Sequence, residues 1–211
     1  MAYKIGIMGG TFNPIHVGHL MLAENAYAFC GLDEIWFMPS ADPPHKTNQN
    51  VLEYHHRSQM TELAIEFVPY FKLSNFETLR KEYSYTAETL RLLHEEYPDT
   101  EFYFIMGADS LFQIETWYEP HNVMARAVLI VAVREHYSMN EMKTQINYLH
   151  DKYHAHIELI NMPGIDLSSH FIRERVSKSE TIRYFVPENV RQYIYDHHLY
   201  KGVYNTNEIF N

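Results

Sequence analysis

Short runs of apolar residues alternate along the chain with longer segments in which apolar residues recur every three or four positions. The short runs lack polar–apolar alternation and predict β-strands buried on both faces, whereas the longer segments predict α-helices. The predicted strands are Lys4–Met8, Glu34–Met38, Phe71–Ser74, Phe102–Met106, Ala127–Val133 and Ile157–Ile160. The predicted helices are Val17–Phe29, Glu53–Glu66, Thr86–Glu96, Ser110–Ile114, Asn140–His150, Ser169–Ser177 and Pro187–His197.

The order of these elements predicts an α/β fold, with a doubly wound, mainly parallel sheet covered by helices on both faces. No internal repeat or low-complexity linker divides the chain. We therefore predict a single domain with an α/β core over residues 1–165, a helical C-terminal part over 166–200 and a tail over 201–211. In such folds ligands bind at the carboxyl ends of the strands, where strand order reverses. The fourth predicted strand should lie beside the first at that point, and the residues that follow each strand become the candidates for chemistry.

Composition narrows the class of partner. The net charge of −10 argues against nucleic acid or an anionic membrane as the main partner, so local positive potential has to hold any anionic ligand. The single cysteine, Cys30, cannot form an internal disulfide and indicates a reducing, cytoplasmic compartment. The longest aliphatic run, Ala127–Val133, is far shorter than the roughly 20 residues that cross a bilayer. We expect no targeting segment and no membrane partner.

The 14 histidines raise the question of a metal site. They are scattered, and no Cys/His spacing of the zinc type occurs in the sequence. We expect no protein-bound metal, and a metal-binding protein stays an alternative that metal analysis of the purified chain would test.

The densest motif follows the first predicted strand and reads G-G-T-F-N-P-I-H-V-G-H from Gly9 to His19. Gly9 and Gly10 allow a tight turn whose backbone amides can surround phosphate oxygens. His16 and His19 share one face at the start of the next helix, where free N–H groups favour anions, and Gly18 leaves room for a bulky group. Two imidazoles can donate hydrogen bonds to a phosphoryl group during its transfer. They could also bind zinc, but a third ligand and the glutamate of H-E-x-x-H are missing.

This segment resembles the signature of the H-x-G-H nucleotidyltransferase superfamily, which also includes class I aminoacyl-tRNA synthetases. The longer form G-G-T-F-N-P-I-H-V-G-H-L resembles the bacterial nicotinate-nucleotide adenylyltransferase family, and the resemblance extends from Ile5 to about Tyr200. It implies a Rossmann-like nucleotidyltransferase fold and an enzyme of NAD biosynthesis that joins ATP and nicotinate mononucleotide to form deamido-NAD and pyrophosphate. It further implies that His16 and His19 are catalytic and bind ATP, and that Mg²⁺ accompanies ATP. The turn residues that it assigns to ATP are Gly9, Gly10, Thr11 and Phe12, with Asn13 assigned to the mononucleotide.

Two further segments resemble the part of the family that holds the mononucleotide phosphate. Pro39–Lys46 forms a stiff loop after the second strand; alone it could be a solvated turn, but the resemblance makes Ser40, His45 and Lys46 candidates. Arg134 follows the fifth strand, where a cation could reach the phosphate or simply lie on the surface. The family continues Arg-Pro-Gly at this point, whereas this chain continues Glu135-His136.

The nicotinate ring and its carboxylate are assigned to two other segments. Thr86 lies at or next to the N-cap of a helix, whose free amides could bind a carboxylate or simply be capped. Trp117 offers a flat apolar surface for a pyridine ring, although a tryptophan can equally be a core residue. The resemblance implies that the carboxylate binds near Thr86, with ring stacking on Trp117 and a backbone contact from Tyr118.

Two further segments, after the fourth strand and at the start of a later helix, are candidates for binding ATP. Gly107 permits close approach after the fourth strand, and Asp109 could accept ribose hydroxyl hydrogens or cap the short helix that follows. Ser169 and Arg173 lie one helical turn apart and could cradle a triphosphate, or belong to a capped helix with surface arginines. The family pattern is I-S-S-T-x-I-R, and His170 stands at its threonine position.

The implied reaction is attack by the mononucleotide phosphate on the α-phosphorus of ATP. This nucleophile needs no strong base, since the second pKa of a phosphate monoester is about 6, so catalysis depends on positioning and charge stabilisation. The alternatives are H-x-G-H transferases acting on pantetheine phosphate or nicotinamide mononucleotide, and a non-catalytic nucleotide-binding regulator. The sequence leaves open whether the chain forms a homo-oligomer.

Overall fold

In a computed structural model of the chain, residues 2–41, 51–79, 85–133, 137–161 and 167–201 are described. These parts of the chain contain six β-strands and eight α-helices. The strands are β1 (Tyr3–Gly10), β2 (Glu34–Pro39), β3 (Phe71–Leu73), β4 (Thr100–Gly107), β5 (Val128–Ala132) and β6 (Ile157–Ile160). The helices are α1 (Val17–Cys30), α2 (Tyr54–Ile65), α3 (Thr86–Glu96), α4 (Ala108–Gln113), α5 (Pro120–Arg126), α6 (Met139–Tyr153), α7 (Ser169–Ser177) and α8 (Glu188–Asp196).

The six strands form one sheet in the order β3-β2-β1-β4-β5-β6. All five pairs of neighbouring strands are parallel. The predicted doubly wound α/β fold is therefore confirmed. β4 pairs with β1, as the sequence predicted, and strand order reverses between them.

Apolar residues cover both faces of the sheet. Phe37 and Ile105 point into a core formed with α1, α2, α7 and α8, whereas their neighbours Met38, Phe104 and Met106 point into a second core formed with α3, α4, α5 and α6. Successive strand residues point to opposite faces of the sheet. When both faces are buried, residues at every position of the strand are apolar and no polar–apolar alternation appears. This explains the unbroken apolar runs in the sequence.

The structure differs from the predicted elements mainly in short or terminal segments. The seven-residue helix α5 and the 3-10 turns Phe76–Leu79 and Ile114–Thr116 were not predicted. α6 begins one residue earlier than predicted, where Ser138 and Glu141 form a capping box, and ends three residues later, at Tyr153. At the start of α3 the N-cap is Tyr85 and Thr86 is the first helical residue. Among the described residues, no helix has the length and apolar character needed to cross a bilayer.

Candidate active site

A cavity of about 440 Å³ opens at the carboxyl ends of β1, β2 and β4. This switch-point cavity lies where strand order reverses, the place that the sequence predicted for a ligand. A larger hollow of about 990 Å³ lies at the opposite edge of the sheet, against the amino ends of β4 and β5, and its described lining includes no predicted site residue. The predicted residues that line the switch-point cavity are Gly9, Gly10, Thr11, His19, Ser40, Thr86, Gly107 and Trp117.

The glycine turn at the end of β1 is shaped by a buried aromatic ring. Phe12 has a left-handed backbone (φ 47°), and its side chain is only 2% exposed. A Cβ at Gly10 would lie 2.9 Å from the Phe12 ring, so glycine is required at position 10 for this packing. Phe12 was predicted among the ATP-binding residues, but its ring belongs to the core. Only its backbone remains for a ligand.

The two histidines of the H-x-G-H motif are stacked on each other. His16 is the N-cap of α1 and His19 is its third residue, and their ring centroids are 3.6 Å apart. The backbone N–H of His16 donates to His19 Nδ1 at 3.2 Å. Because Nδ1 accepts, the proton of the neutral His19 ring lies on Nε2, which becomes a donor. His19 lines the cavity, whereas the His16 ring is 3% exposed and lies behind it.

Gly18 leaves room for a group that belongs to the protein itself. A Cβ at position 18 would lie 3.1 Å from His16 Nδ1 and 3.2 Å from His16 Cε1. The sequence predicted only that a bulky group would pack here; the structure identifies it as the His16 ring. Gly18 therefore permits the stacking of His16 on His19.

Three residues from the C-terminal part of the chain hold the turn in place. Ser169 Oγ donates to the carbonyl of Pro14 at 2.7 Å, and Arg173 donates to the carbonyl of Asn13 at 2.8 Å. The Tyr200 hydroxyl donates to Asn13 Oδ1 at 3.0 Å. Ser169, Arg173 and Asn13 were predicted to contact substrates, and in the structure they make these contacts within the protein. Tyr200 was not singled out from the sequence.

The opposite wall of the cavity begins α3 and carries Trp117. Thr86 is the first residue of α3, so backbone N–H groups that lack helical partners lie at this wall. Trp117 packs its ring edge-on against Phe104, with 5.9 Å between centroids. Tyr118 is 52% exposed and stacks on Tyr85 at 4.5 Å, outside the cavity lining. The wall therefore combines a helix N-terminus with an aromatic surface.

A hydroxyl group at the end of β2 faces the same space. Ser40 lines the cavity, and its backbone N–H donates to the carbonyl of Gly10 at 2.9 Å. Its Oγ is buried and has no hydrogen-bond partner in the part of the chain that the structure describes. A buried hydroxyl in this position can satisfy its hydrogen bonds with a ligand.

Glu77 and Thr89 also line the cavity and were missed in the sequence. Thr89 is 4% exposed, and its hydroxyl donates to Glu77 Oε1 at 3.2 Å. The bond ties the 3-10 turn that carries Glu77 to the first turns of α3. A signal was present, because Thr89 lies three residues after Thr86 on the same helix.

The end of β4 supplies the last part of the lining. Gly107 is the N-cap of the short helix α4, and Gly107 and Ser110 face the cavity. Asp109 is exposed and lies outside the lining. Burial and then the hydrogen bond to Asp109 raise the pKa of the Tyr137 hydroxyl, so Asp109 has a protein partner that the sequence did not indicate.

Some predicted residues cannot be compared with the structure. His45, Lys46 and Arg134 lie outside the described residues. Within the described residues, no group of three or more His, Cys, Asp or Glu side chains is arranged to hold a metal ion.

Comparisons with known proteins agree on one family. Residues 7–175 match the family model described as cytidylyltransferase-like. A protein of Lachnoclostridium phytofermentans named probable nicotinate-nucleotide adenylyltransferase is 48% identical over 197 residues, covering 93% of this chain and 98% of the relative. A protein of the same name from Desulfitobacterium hafniense is 39% identical, covering 94% of this chain and 96% of the relative.

A solved structure has the same fold. The Plasmodium falciparum nicotinic acid mononucleotide adenylyltransferase complexed with NaAD is 24% identical and superimposes with a TM-score of 0.80, covering 94% of this chain and 97% of that one. The structural likeness establishes the fold, and the sequence relatives establish the family. The chain belongs to the cytidylyltransferase-like family and, within it, to the nicotinate-nucleotide adenylyltransferases.

Proposed function

We propose that this chain transfers the adenylyl group of ATP to the phosphate of nicotinate mononucleotide, forming deamido-NAD and pyrophosphate. One observation carries the proposal: two surfaces suited to anions, the glycine turn with His19 and the N-terminus of α3, line the same cavity. The names of the sequence relatives support the same assignment.

The turn and His19 suit the phosphates of ATP. Gly9, Gly10 and Thr11 bring backbone close to the cavity, and His19 Nε2 can donate a hydrogen bond into it. In the proposed reaction this donor meets the charge that develops as the bond between the α- and β-phosphates breaks. His16 fixes the orientation of the His19 ring by stacking on it and by its backbone N–H.

The opposite wall suits the pyridine end of the mononucleotide. The N-terminus of α3 at Thr86 favours the carboxylate through free N–H groups and the helix dipole. Trp117 supplies an aromatic surface for the pyridine ring, and Ser40 supplies a hydroxyl that can bond to the ligand. Because a carboxamide lacks the negative charge, we expect discrimination against nicotinamide mononucleotide of about 10- to 100-fold, corresponding to one charge-assisted hydrogen bond.

The chemical step needs no base from the protein. The mononucleotide phosphate is mostly dianionic at neutral pH, because its second pKa is about 6, and it attacks the α-phosphorus in line with the departing pyrophosphate. Mg²⁺ supplied with ATP would offset the negative charge of the phosphates. The protein contributes orientation and hydrogen-bond donors.

Pyrophosphate release by the purified full-length chain tests the proposal. ATP and MgCl₂ are supplied with nicotinate mononucleotide, nicotinamide mononucleotide, phosphopantetheine or no acceptor, and the dinucleotide product is identified by mass spectrometry. We expect the highest kcat/KM with nicotinate mononucleotide, and deamido-NAD as the product. Preferential turnover of phosphopantetheine, or ATP binding without pyrophosphate release from any mixture, would refute the proposal.

A further inference from the structure

Arg57 is a buried arginine on α2 that the sequence patterns did not single out. Its side chain is only 1% exposed, which is rare for an arginine and requires hydrogen-bond partners for the guanidinium group. Nε donates to the carbonyl of Leu52 at 2.9 Å. The two terminal nitrogens donate to the carbonyls of Thr11 at 2.8 Å and Ala41 at 3.3 Å.

These three carbonyls belong to three separate segments. Thr11 lies in the glycine turn after β1, Ala41 follows β2, and Leu52 precedes α2. A guanidinium group holds its five N–H donors in one rigid plane, so it fixes the directions of the three acceptors relative to one another. An ammonium group has three donors at a single point and does not reproduce this geometry.

A second contact closes the arrangement around the turn. The backbone N–H of Leu52 donates to Asn13 Oδ1 at 3.3 Å, while Arg57 holds both Leu52 and Thr11. Phe12, which has the left-handed backbone, lies between the anchored residues Thr11 and Asn13. Such a conformation persists when surrounding contacts determine it from both sides.

The anchored turn supports His19, a residue of the candidate site. The Phe12 ring meets the His19 ring edge-on, with 5.1 Å between centroids and 88° between planes. A change in the backbone at Thr11 would therefore move Phe12 and alter the support of His19. Arg57 itself is absent from the described lining of the switch-point cavity.

We propose that Arg57 is a positioning residue for nucleotidyl transfer, which holds the Thr11–Asn13 turn so that His19 keeps its place in the cavity. The inference rests on the proposed function for its kinetic consequence. Its structural consequence, rigidity of the turn, is independent of the reaction that the protein performs.

The first test compares Arg57→Lys with the matched control Arg91→Lys. Arg91 is a half-exposed arginine that pairs with Glu88 on the surface of α3. We expect Arg57→Lys to lower kcat on the order of 100-fold, as misplacement of a catalytic group does, while KM for the mononucleotide changes by less than about threefold. Arg91→Lys should match the wild type.

Hydrogen–deuterium exchange supplies the readout that does not depend on activity. Amides of peptides covering residues 9–16 should exchange faster in Arg57→Lys, while those of β4 and β5 should exchange as in the wild type. Wild-type protein without turnover would refute the proposed function, and the exchange data would still decide the role of Arg57. Exchange that is unchanged at residues 9–16, or that is faster throughout the sheet, would overturn the positioning role.

A chemical rescue experiment separates positioning from general stability. Arg57→Ala is assayed with added guanidinium at a concentration too low to unfold the wild type, with methylammonium as the control cation. We expect guanidinium alone to restore part of the lost kcat, since it can occupy the vacated space and meet the same carbonyls. Equal effects of both cations, or a kcat loss that only follows the unfolded fraction, would overturn the proposal.

Discussion

His16 and His19 lie with their rings stacked 3.6 Å apart, and the backbone N–H of His16 donates to His19 Nδ1. This contact leaves Nε2 as the protonated nitrogen of the neutral His19 ring. The H-x-G-H motif therefore contains one histidine that lines the cavity and a second whose ring stacks on the first. The two histidines have different surroundings, since His16 is 3% exposed and His19 lines the cavity.

Replacing His19 by alanine should abolish most turnover without unfolding the protein. Loss of one preorganised donor to a transition-state charge lowers kcat by about 10²- to 10³-fold, and His19 is only half-buried. Pyrophosphate release gives kcat, and thermal unfolding checks the fold. His156→Ala is the control, because His156 lies next to the hollow at the opposite edge of the sheet. Near-normal kcat in His19→Ala would remove the role assigned to this donor.

Gly18→Ala should reduce activity more than stability. The new Cβ would lie 3.1 Å from His16 Nδ1, so the stacked pair must shift, and we expect kcat to fall by about tenfold or more. Alanine has the better helix propensity by about 0.5–1 kcal/mol, which offsets part of the crowding. Chemical denaturation and steady-state kinetics measure the two effects separately.

Gly31→Ala is the control for Gly18→Ala, because it should lower stability and leave activity unchanged. Gly31 ends α1 with φ +58°, and a Cβ added there would meet no atom within 4 Å, so alanine costs about 1 kcal/mol of stability through backbone strain alone. Its kcat should equal that of the wild type. If Gly18→Ala behaved in the same way, losing stability and keeping activity, crowding of His16 would have no catalytic consequence.

Trp117→Ala should weaken mononucleotide binding selectively. Trp117 lines the cavity, and loss of an aromatic stacking partner costs about 0.5–1.5 kcal/mol of binding free energy, which corresponds to a rise in KM of about two- to tenfold. KM for ATP should change by less than about twofold. Trp117→Phe should be intermediate, and Trp36→Phe should have no effect on either KM. An equal rise in both KM values would contradict a ring-specific contact.

Stability should fall as the pH drops below neutrality because of His56. Burial, followed by the charges of His55 and His197, lowers the pKa of His56 from its ordinary value of 6.5. The unfolded chain then binds the proton more readily than the folded chain. The contribution of neutral His56 to the free energy of unfolding is therefore complete above about pH 6.5, and it is lost as the pH falls through the lower pKa of the folded state.

Denaturant unfolding at several pH values between about 7.5 and 5 measures this loss. His56→Asn removes the titrating group and keeps a polar side chain near the Tyr193 hydroxyl, which lies 3.0 Å from His56 Nδ1. We expect the variant to lose less stability than the wild type over this interval. Parallel curves for wild type and His56→Asn would contradict the assignment.

Much of the fold could be predicted because burial on both faces leaves a clear record in the sequence. The strands β2, β4 and β5 each contain an unbroken run of buried apolar residues, and α7 was predicted with its observed bounds, Ser169–Ser177. The helix α5, Pro120–Arg126, was missed because seven residues are too few to establish a helical period. Its start also depends on Glu119, which has a left-handed backbone (φ 46°) that the sequence does not indicate.

The cavity-lining residues that were predicted either belong to the local Gly9–His19 motif or, like Ser40, Thr86 and Trp117, were marked by the resemblance to a known family. The turn that begins at Gly9 and the pair His16 and His19 are contiguous in the sequence, and their spacing indicates a phosphate-binding site. Arg57 is separated by 46 positions in the sequence from its partner Thr11, and Tyr200 by 187 positions from its partner Asn13. No local pattern records such contacts. Arg57 shares the buried face of α2 with Met60, Thr61 and Ile65, and this face mixes polar and apolar residues, so the sequence does not mark it as buried.

The most direct test is a crystal structure of the full chain with deamido-NAD, the proposed product, bound. We predict a phosphate oxygen of the dinucleotide within about 3.2 Å of His19 Nε2, with the nicotinate carboxylate against the backbone N–H groups at the start of α3 and the pyridine ring over Trp117. A dinucleotide bound elsewhere, or a His19 ring turned away from both phosphates, would contradict the account.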